Sequence, residues 1–411
     1  MNVMDGHAIF NLFMAGAKRV HELRRELDRI NVFPVPDGDT GSNMSFTLAA
    51  AVSEARADRS VAAVARSLAD SALAGARGNS GVIVAQFITG FGEAVADSVS
   101  LSLRQFASSC VHASRRAQDA IAHPAEGTIL SAIKAWAAAL ESSVTDSPTL
   151  SHLLEKAHPS LEEAVRRGPD RLPKLKAAGV VDAGAKGFEA FVSGFRDFAE
   201  GRIDPGDLAS AAFGSVAPSI EPEAEAHGSR PTLRYCCEFL MEARPEHSLD
   251  LDRLREELDQ EGDSLIVAGG NMKARVHIHA DDPSRIAGLL SAKARLIEQK
   301  ADDMLLQYLD AHERLSDVAI LTDSACDLPA ELALKYRIHQ VPLYVRFGDE
   351  EYLDKLTVTP DSFYDRAERG PYFPKSSQPT ALAFSRAYAT LASHYRSVIA
   401  IHLASTMSGT Y

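Results

Sequence analysis

The sequence predicts a multidomain protein with an all-helical domain, a small α+β domain and a partial α/β domain, in that order. Apolar residues recur at helical spacing through residues 1–202. A segment rich in Ala, Ser, Gly, Pro and Glu follows at residues 203–230, and it predicts a flexible linker because it cannot build a core. Strand-like runs appear only beyond it, at residues 231–312 and 316–411.

The composition is that of an ordinary globular protein, and it argues against several classes of function. Of the 411 residues, 45% are hydrophobic and 24% are charged, and the formal net charge is −13. This charge argues against a general nucleic-acid-binding protein because a phosphate backbone would be repelled. No stretch approaches the roughly 18 apolar residues of a membrane span, and the N-terminus lacks a basic-then-apolar signal pattern. Four scattered cysteines are too few for a disulfide framework, so we expect a cytoplasmic protein.

Eight helical patterns make up the first domain. The first, at residues 6–30, is an amphipathic helix that leads into a loop of prolines, aspartates and glycines. The others follow at residues 43–57, 61–74, 80–98, 102–122, 127–142, 149–167 and 183–200. Because short polar or glycine-containing loops join these helices, we expect an all-helical domain with functional loops at the helix starts.

The first of these loops, residues 31–44, has the composition of a Mg-nucleotide site. Asp37 and Asp39 are two apart on an extended segment, so their carboxylates point the same way and can share hard cations. The Thr-Gly-Ser-Asn run at residues 40–43 supplies good N-cap residues, and the free N–H groups of the helix that follows would face an anion. A Pro-Asp-Gly-Asp run is also typical of a surface turn ahead of a capped helix. The short pattern alone leaves both interpretations open.

Three further loops open helices with small and polar residues. The Arg-Gly-Asn-Ser-Gly loop at residues 77–81 offers amides to an anion, although such a loop is more often an ordinary connection. The Glu-Gly-Thr-Ile run at residues 126–129 opens another helix. In residues 181–187, small side chains let a flat base or a ribose approach, and Asp182 could accept a hydrogen bond.

Taken together, the four loops resemble in order and approximate spacing the DhaL family, the ATP-binding component of dihydroxyacetone kinase, in the variant found in fatty acid kinases. The resemblance covers residues 1–200 and implies a helical barrel that binds ATP and two Mg²⁺ ions, with Asp37 and Asp39 as metal ligands. Dihydroxyacetone kinases carry a third aspartate a few residues earlier, and the nearest polar candidate here is Asn31. The residues that the resemblance implies at the nucleotide are Thr40, Ser42, Asn43, Met44, Asn79, Ser80, Gly81, Gly127, Thr128, Asp182 and Gly184.

The middle segment, residues 231–312, carries a candidate metal site. His277 and His279 are two apart on a predicted strand and share a face, and Cys236 from a neighbouring strand could complete a three-ligand set suited to zinc. The three side chains could also pack on the sheet without a metal. The runs Tyr-Cys-x-Glu and Val-His-x-His resemble the middle domain of fatty acid kinases, and this resemblance favours the metal. Which thiol faces the site stays open, because Cys237 stands where a threonine is expected.

Alternating strands and helices in residues 316–411 predict a doubly wound α/β domain, whose ligand would lie at the strand C-termini. The run Thr-Asp-Ser-x-Cys-Asp-Leu-Pro, the loop Ser-Ser-Gln-Pro-Thr and the loop Ser-Thr-Met-Ser-Gly-Thr resemble the DegV family of fatty-acid-binding proteins. The resemblance implies that Ser376 and Ser408 hold a fatty acid carboxylate, although serines at loop tips are mostly solvated or capping. The chain stops just after Ser-Gly-Thr, so we expect this domain to be incomplete.

These features predict a fatty acid kinase with a fatty-acid-binding domain on the same chain. ATP and two Mg²⁺ ions would bind in the first domain, the fatty acid would be phosphorylated on its carboxylate, and the middle domain could hold Zn²⁺. A separate DegV-type fatty-acid-binding protein and a second copy of the chain are further candidate partners. The alternatives are a small-polyol kinase of the dihydroxyacetone type and a non-catalytic lipid-binding or regulatory protein.

Overall fold

The structure is a computed structural model that describes residues 2–33, 38–122, 124–204 and 230–410. The expected metal ligand Asp37 and nearly all of the predicted linker lie outside these residues. The chain divides into two compact units. One contains residues 1–216 together with 266–269, and the other contains residues 217–265 and 270–411.

Helices build the first unit. They are α1 (Gly6–Arg29), α2 (Thr40–Glu54), α3 (Val61–Gly75), α4 (Gly78–Ala94), α5 (Leu103–Asp119), α6 (Ile129–Ser143), α7 (Leu150–Arg166), α8 (Gly168–Arg171), α9 (Pro173–Ala178) and α10 (Ala183–Ala199). The predicted helical class is confirmed, and the eight predicted patterns correspond to α1–α7 and α10. The short helices α8 and α9 and a ribbon of β1 (Val3–Asp5) and β2 (Ser100–Ser102) were not predicted, because such short segments show no clear period. Among the described helices, none is both long and apolar enough to cross a bilayer.

Side-chain caps fix where several of these helices begin. Asp5, Ser60 and Thr149 each accept a hydrogen bond from a backbone N–H three residues further on. Ser102 and Gln105 form a reciprocal capping box at the start of α5. These short polar signals, next to apolar helical patterns, are what made the helices predictable.

A continuous apolar core holds the first unit together. Its largest fully buried side chains are aromatic, and many of their rings meet at tilted or edge-to-face angles: Phe13, Phe87, Phe91, Phe106, Trp136, Phe188, Phe191 and Phe195. Gly194 lets α1 and α10 meet backbone to backbone, because a Cβ atom there would lie 2.4 Å from the carbonyl oxygen of Ala15. Because α1 leads into the aspartate loop and α10 begins after Asp182, this contact fixes two predicted loops relative to each other.

The middle segment forms a four-stranded sheet in the order β4-β5-β3-β6. Its elements are β3 (Tyr235–Glu242), α11 (Leu251–Leu258), β4 (Asp263–Gly269), β5 (Lys273–Ala280), α12 (Pro283–Ser291), β6 (Arg295–Asp303) and α13 (Met304–His312). Strand β3 pairs antiparallel with both β5 and β6. The predicted α+β class is confirmed. Strand β6 was missed because its largely polar sequence, Arg-Leu-Ile-Glu-Gln-Lys-Ala-Asp-Asp, lacks an apolar alternation.

The last segment holds two small sheets. β12 (Ser397–Ile401), β7 (Val318–Asp323) and β8 (Ile338–Val341) run parallel, whereas β10 (Glu350–Leu353), β9 (Tyr344–Phe347) and β11 (Lys375–Ser377) run antiparallel. The helices are α14 (Ala330–Lys335), α15 (Pro360–Arg369) and α16 (Ala381–His394). The apolar run at residues 341–347 predicts a single strand. The structure divides it at Pro342 into β8 and β9, because proline has no N–H to donate to a ladder.

Candidate nucleotide, metal and carboxylate sites

Three of the four predicted nucleotide loops open helices whose own N-cap residue supplies no capping side chain. α2, α4 and α6 begin after Asp39, Arg77 and Thr128, and none of these residues bonds a helix N–H through its side chain. The other long helices of the described first unit, α1, α3, α5, α7 and α10, all begin with a capping side chain. A helix start without such a cap can turn its N–H groups and the positive end of its dipole toward an anion. The uncapped starts coincide with the loops that the sequence singled out.

Close contacts at two glycines bring the four loops together. Gly78 has a φ of +57°, and a Cβ atom there would lie 2.4 Å from Nδ2 of Asn43. A Cβ atom on Gly184 would lie 2.7 Å from Oγ of Ser80 and 3.3 Å from Cβ of Ile129. Larger residues at these positions would force the neighbouring loops apart. The starts of α2, α4, α6 and α10 therefore lie side by side.

The aspartate loop is held at both of its ends. Asp39 is exposed, and its backbone carbonyl accepts the N–H of Asn43 at 2.8 Å, which closes the first turn of α2. Asn31 is 4% exposed, and its side-chain oxygen accepts a hydrogen bond from the Thr40 hydroxyl. Asn31, the expected third ligand, thus lies beside the start of α2. Its partner Thr40 is the residue that directly follows Asp39.

Asp28 is a site residue that the sequence analysis missed. Its carboxylate accepts the N–H of Ser42 at 2.9 Å and the Ser42 hydroxyl at 2.7 Å. Burial raises the pKa of Asp28 to about 6, the Asp39 carboxylate adds to this rise, and the hydrogen bonds from Ser42 and Gly41 oppose it. We expected the amide near Ser42 to face a phosphate, whereas it faces Asp28. No motif links two residues that are 14 positions apart on different helices.

Two other expected nucleotide residues have partners within the protein. Met44 is fully buried, and a Cβ atom on Gly187 would lie 2.5 Å from its sulfur, so the Met44 side chain belongs to the core. Asp182 caps α10 by accepting the N–H of Ala185 at 2.7 Å, and it also accepts the N–H of Ile129. Complete burial raises the pKa of Asp182 to about 6. Its carboxylate therefore ties the third loop to the fourth.

The remaining loop residues bond within their own loop or pack against a neighbouring helix. The N–H of Gly127, which has a φ of +89°, donates to Ser131 Oγ at 2.9 Å, and the Thr128 hydroxyl donates to the Ala125 carbonyl at 2.7 Å. A Cβ atom on Gly81 would lie 2.4 Å from Oγ of Thr47, so α4 starts directly against α2.

These residues fit an Mg-nucleotide on three observations. Oδ1 of Asn79 is buried and has no hydrogen-bond partner among the described residues. Three neighbouring helices have an N-cap residue without a capping side chain, although Asp28 and Asp182 accept some N–H groups at the starts of α2 and α6. Asp39 presents an exposed carboxylate at the start of α2. Amide donors for phosphate oxygens next to a carboxylate for a hard cation make up the donor set that a magnesium-bound nucleotide requires.

The middle sheet brings Cys236, His277 and His279 together, with donor atoms that all lie within 4.8 Å of one another. Cys236 is directly opposite His279 in the register of β3 and β5, and its Sγ lies 3.9 Å from Nδ1 of His277. Cys237 is fully buried and pairs with Ile278, so it points to the opposite face. This answers the question of which thiol faces the two histidines.

The donor set of this cluster fits Zn²⁺. Nε2 of His277 is buried without a hydrogen-bond partner in the part of the chain that the structure describes. Nδ1 of His279 lies 3.3 Å from Oδ1 of Asp263, a carboxylate that can orient a metal-bound imidazole. Burial and the neighbouring His277 lower the pKa of His279 to about 4, which keeps its ring in the neutral, coordinating form.

The two loops expected to bind a carboxylate lie next to each other in the last segment. A Cβ atom on Gly409 would lie 2.3 Å from Oε1 of Gln378, so the Ser-Gly-Thr loop meets the Ser-Ser-Gln-Pro loop. Ser376 is exposed at the middle of β11. Ser408 is partly buried, and its hydroxyl lies 2.9 Å from that of Thr410.

Family models match three successive parts of the chain. Residues 34–197 match the DAK2 domain, residues 232–310 match the FakA-like middle domain of fatty acid kinases, and residues 317–411 match the DegV family. Protein YloV of Bacillus subtilis is 30% identical over 321 residues, which is 75% of this chain and 57% of that protein. A protein of Staphylococcus saprophyticus is 30% identical over 325 residues, or 76% of this chain and 58% of that protein. The chain thus spans just over half the length of these relatives.

Solved structures resemble parts of the chain. A fatty-acid-binding DegV family protein from Thermus thermophilus is 32% identical over 23% of this chain and 33% of that chain, with a TM-score of 0.22. The dihydroxyacetone kinase from C. freundii, solved with AMP-PNP and Mg²⁺, is 15% identical over 46% of this chain and 33% of that chain, with a TM-score of 0.37.

The family matches confirm the resemblances inferred from the loops. The chain combines, in this order, a DAK2 domain of the DhaL type, a FakA-like middle domain of the fatty acid kinases and a DegV family segment.

Proposed function

We propose that this chain transfers the γ-phosphoryl group of ATP to the carboxylate of a fatty acid, giving an acyl phosphate and ADP. The observation that carries the proposal is the adjacency of three helix starts whose N-cap residues supply no capping side chain, next to the exposed Asp39, in a DAK2 domain that shares its chain with a DegV family segment. The first feature supports binding of a magnesium nucleotide. The second supports a fatty acid as the acceptor.

In the proposed reaction, a carboxylate oxygen attacks the γ-phosphorus, and the bond between that phosphorus and the β,γ-bridging oxygen breaks as ADP leaves. No covalent protein intermediate is needed. Asp37, Asp39 and Asn31 would hold two Mg²⁺ ions, which when bound neutralise charge on the phosphates. N–H groups at the start of α4, and those at the starts of α2 and α6 that do not bond Asp28 or Asp182, would orient the phosphate oxygens.

The acceptor carboxylate would bind where the two loops of the DegV family segment meet. Ser376 and Ser408 would donate hydrogen bonds to it, and their loops are adjacent. A fatty acid held on this chain raises the effective concentration of acceptor. A separate DegV-type protein is the alternative carrier, and a second copy of the chain is a further proposed partner. We propose the cytoplasm as the location, because ATP is the donor.

We propose that Cys236, His277 and His279 hold Zn²⁺ in the middle domain, which adds a structural metal to the two catalytic ions. One sulfur and two imidazole nitrogens suit zinc, and three protein ligands leave a fourth position for water or another group.

The test uses the full chain with ATP and Mg²⁺ and compares a panel of fatty acids with dihydroxyacetone. ADP release is followed, and acyl phosphate is trapped as hydroxamate with hydroxylamine. Hydroxamate that requires both Mg²⁺ and fatty acid is the expected result, and a parallel series with an added DegV-type protein identifies the carrier. ADP release that depends on dihydroxyacetone would instead establish a polyol kinase. Tight fatty acid binding without ADP release would establish a non-catalytic lipid-binding protein.

A further inference from the structure

We propose that helices α7 and α10 carry a second site for a transition-metal dication, built from His158, Glu162 and Glu189. The three side chains offer one imidazole nitrogen and two carboxylate oxygens, and these donor atoms all lie within 4.8 Å of one another. His158 and Glu162 are one turn apart on α7, with Nε2 of the histidine 3.2 Å from Oε1 of the glutamate. Glu189 reaches them from α10. A set of one nitrogen and two oxygens suits Zn²⁺ and Mn²⁺.

His158 is buried at the site, so the position of its ring is fixed by the surrounding residues. The residue is 7% exposed, and its Nδ1 has no hydrogen-bond partner among the residues that the structure describes. The nitrogen that faces the Glu162 carboxylate is the other one, Nε2, so the proposed metal would bind Nε2. Burial lowers the pKa of His158, and the nearby Arg196 guanidinium lowers it further against the opposing pull of Glu162 and Glu189.

The surrounding charges show how a metal would enter. Nζ of Lys186 lies 3.0 Å from one oxygen of Glu189 and 3.2 Å from the other, so this ammonium group balances the carboxylate when no metal is bound. The Lys186 side chain is 36% exposed, whereas that of Glu189 is 13% exposed, so the lysine can swing into water and leave the carboxylate to a dication. The Glu162 side chain is 57% exposed and leaves a route for solvent and for water ligands.

The site would be structural. α10 begins after Asp182, whose carboxylate ties two nucleotide loops together, and a metal shared by α7 and α10 would hold these two helices together. It does not depend on the proposed kinase activity, because its ligands are separate from the residues assigned to ATP and to the fatty acid.

The test measures Zn²⁺ binding to the metal-stripped full chain by competition with a chelating indicator, with circular dichroism as the check on folding. The titration should show two Zn²⁺ affinities, one for each proposed site. His158→Asn and Glu189→Gln should each weaken the Zn²⁺ affinity of the same one of these sites by roughly tenfold or more. Lys186→Met should raise the Zn²⁺ affinity of this site, because it removes the ammonium group that competes with Zn²⁺ for the Glu189 carboxylate. The matched controls are His152→Asn, a histidine on the same helix whose Nδ1 is also buried and unpaired among the described residues, and Cys236→Ser in the middle domain. Neither control should change the Zn²⁺ affinity of the site on α7 and α10.

The Lys186→Met variant decides the question if His158→Asn fails to fold, because a lysine that only pairs with Glu189 would give no gain in metal affinity on removal. Zn²⁺ binding that is the same in the wild type and in all folded variants of the three residues would overturn the proposal. The cluster would then be an ion-pair network between two helices.

Discussion

The carboxylate of Asp28 accepts hydrogen bonds from both the amide and the hydroxyl of Ser42, and burial raises its pKa to about 6. The folded state therefore binds this proton more tightly than the unfolded state, and the contribution of Asp28 to stability falls as the pH rises from about 4 to about 6. Asp28→Asn has no such titration. The free energy of unfolding of the variant minus that of the wild type should therefore rise by up to about 3 kcal/mol between pH 4 and pH 7. Urea unfolding at several pH values measures this. The exposed Asp70 is the control for the removal of one carboxylate from the same unit, and the gain should be specific to Asp28→Asn.

The two adjacent cysteines of the middle domain offer a matched pair for the proposed zinc site. Cys236 is opposite His279 and close to His277, whereas Cys237 is fully buried on the other face of β3. Substitution of Co²⁺ for Zn²⁺ gives a thiolate-to-metal absorption band only if a cysteine is a ligand. We expect Cys236→Ser to lose this band and Cys237→Ser to keep it. A band that survives Cys236→Ser would remove this cysteine from the ligand set.

Among elements, the contact between α1 and α10 positions the nucleotide loops. Gly194→Ala would place its Cβ atom about 2.4 Å from the carbonyl oxygen of Ala15, so the two helices must separate. We expect a loss of about 1–3 kcal/mol in unfolding free energy, together with weaker nucleotide binding. Gly288→Ala in α12 is the control, because nothing lies within 4 Å of its added Cβ atom, and helix propensity favours alanine by about 1 kcal/mol. Equal stability of Gly194→Ala and the wild type would show that this contact is not tight.

Elements were predictable from the sequence where they are long and capped, and less so where they are short or polar. The long helices α1–α7 and α10 follow from apolar residues at helical spacing, with Asp5, Ser60, Ser102 and Thr149 marking four starts. The ribbon β1-β2 and strand β11 are three residues each, too short for a period to show. Strand β6 is held by its pairing with β3 and not by its own apolar pattern.

At the scale of the whole molecule, the resemblance of the four loops to the DhaL family, in order and approximate spacing, implied that they share a site. The sequence did not reveal which polar groups bind ligands and which bind one another. Ser42 and Asp182 look alike as capping and ligand residues, yet their partners are Asp28 in one case and Ala185 with Ile129 in the other. Such pairings depend on distances between helices that no local pattern encodes. The proposed boundaries at residues 1–202, 231–312 and 316–411 stay a prediction.

The residues proposed for phosphoryl transfer and for carboxylate binding belong to different compact units, so one function can be removed without the other. Asp39 is exposed at the start of α2 in the first unit, whereas Ser376 and Ser408 lie in the second. Asp39→Ala should lower acyl hydroxamate formation by at least about a hundredfold, because charge neutralisation on the phosphates is lost. Fatty acid binding, measured by displacement of a fluorescent fatty acid, should be unchanged. Ser376→Ala with Ser408→Ala should do the reverse and weaken fatty acid binding while nucleotide binding persists. Undiminished hydroxamate formation by Asp39→Ala would refute the proposed role of this loop, since no phosphoryl transfer of this type proceeds without its metal ions.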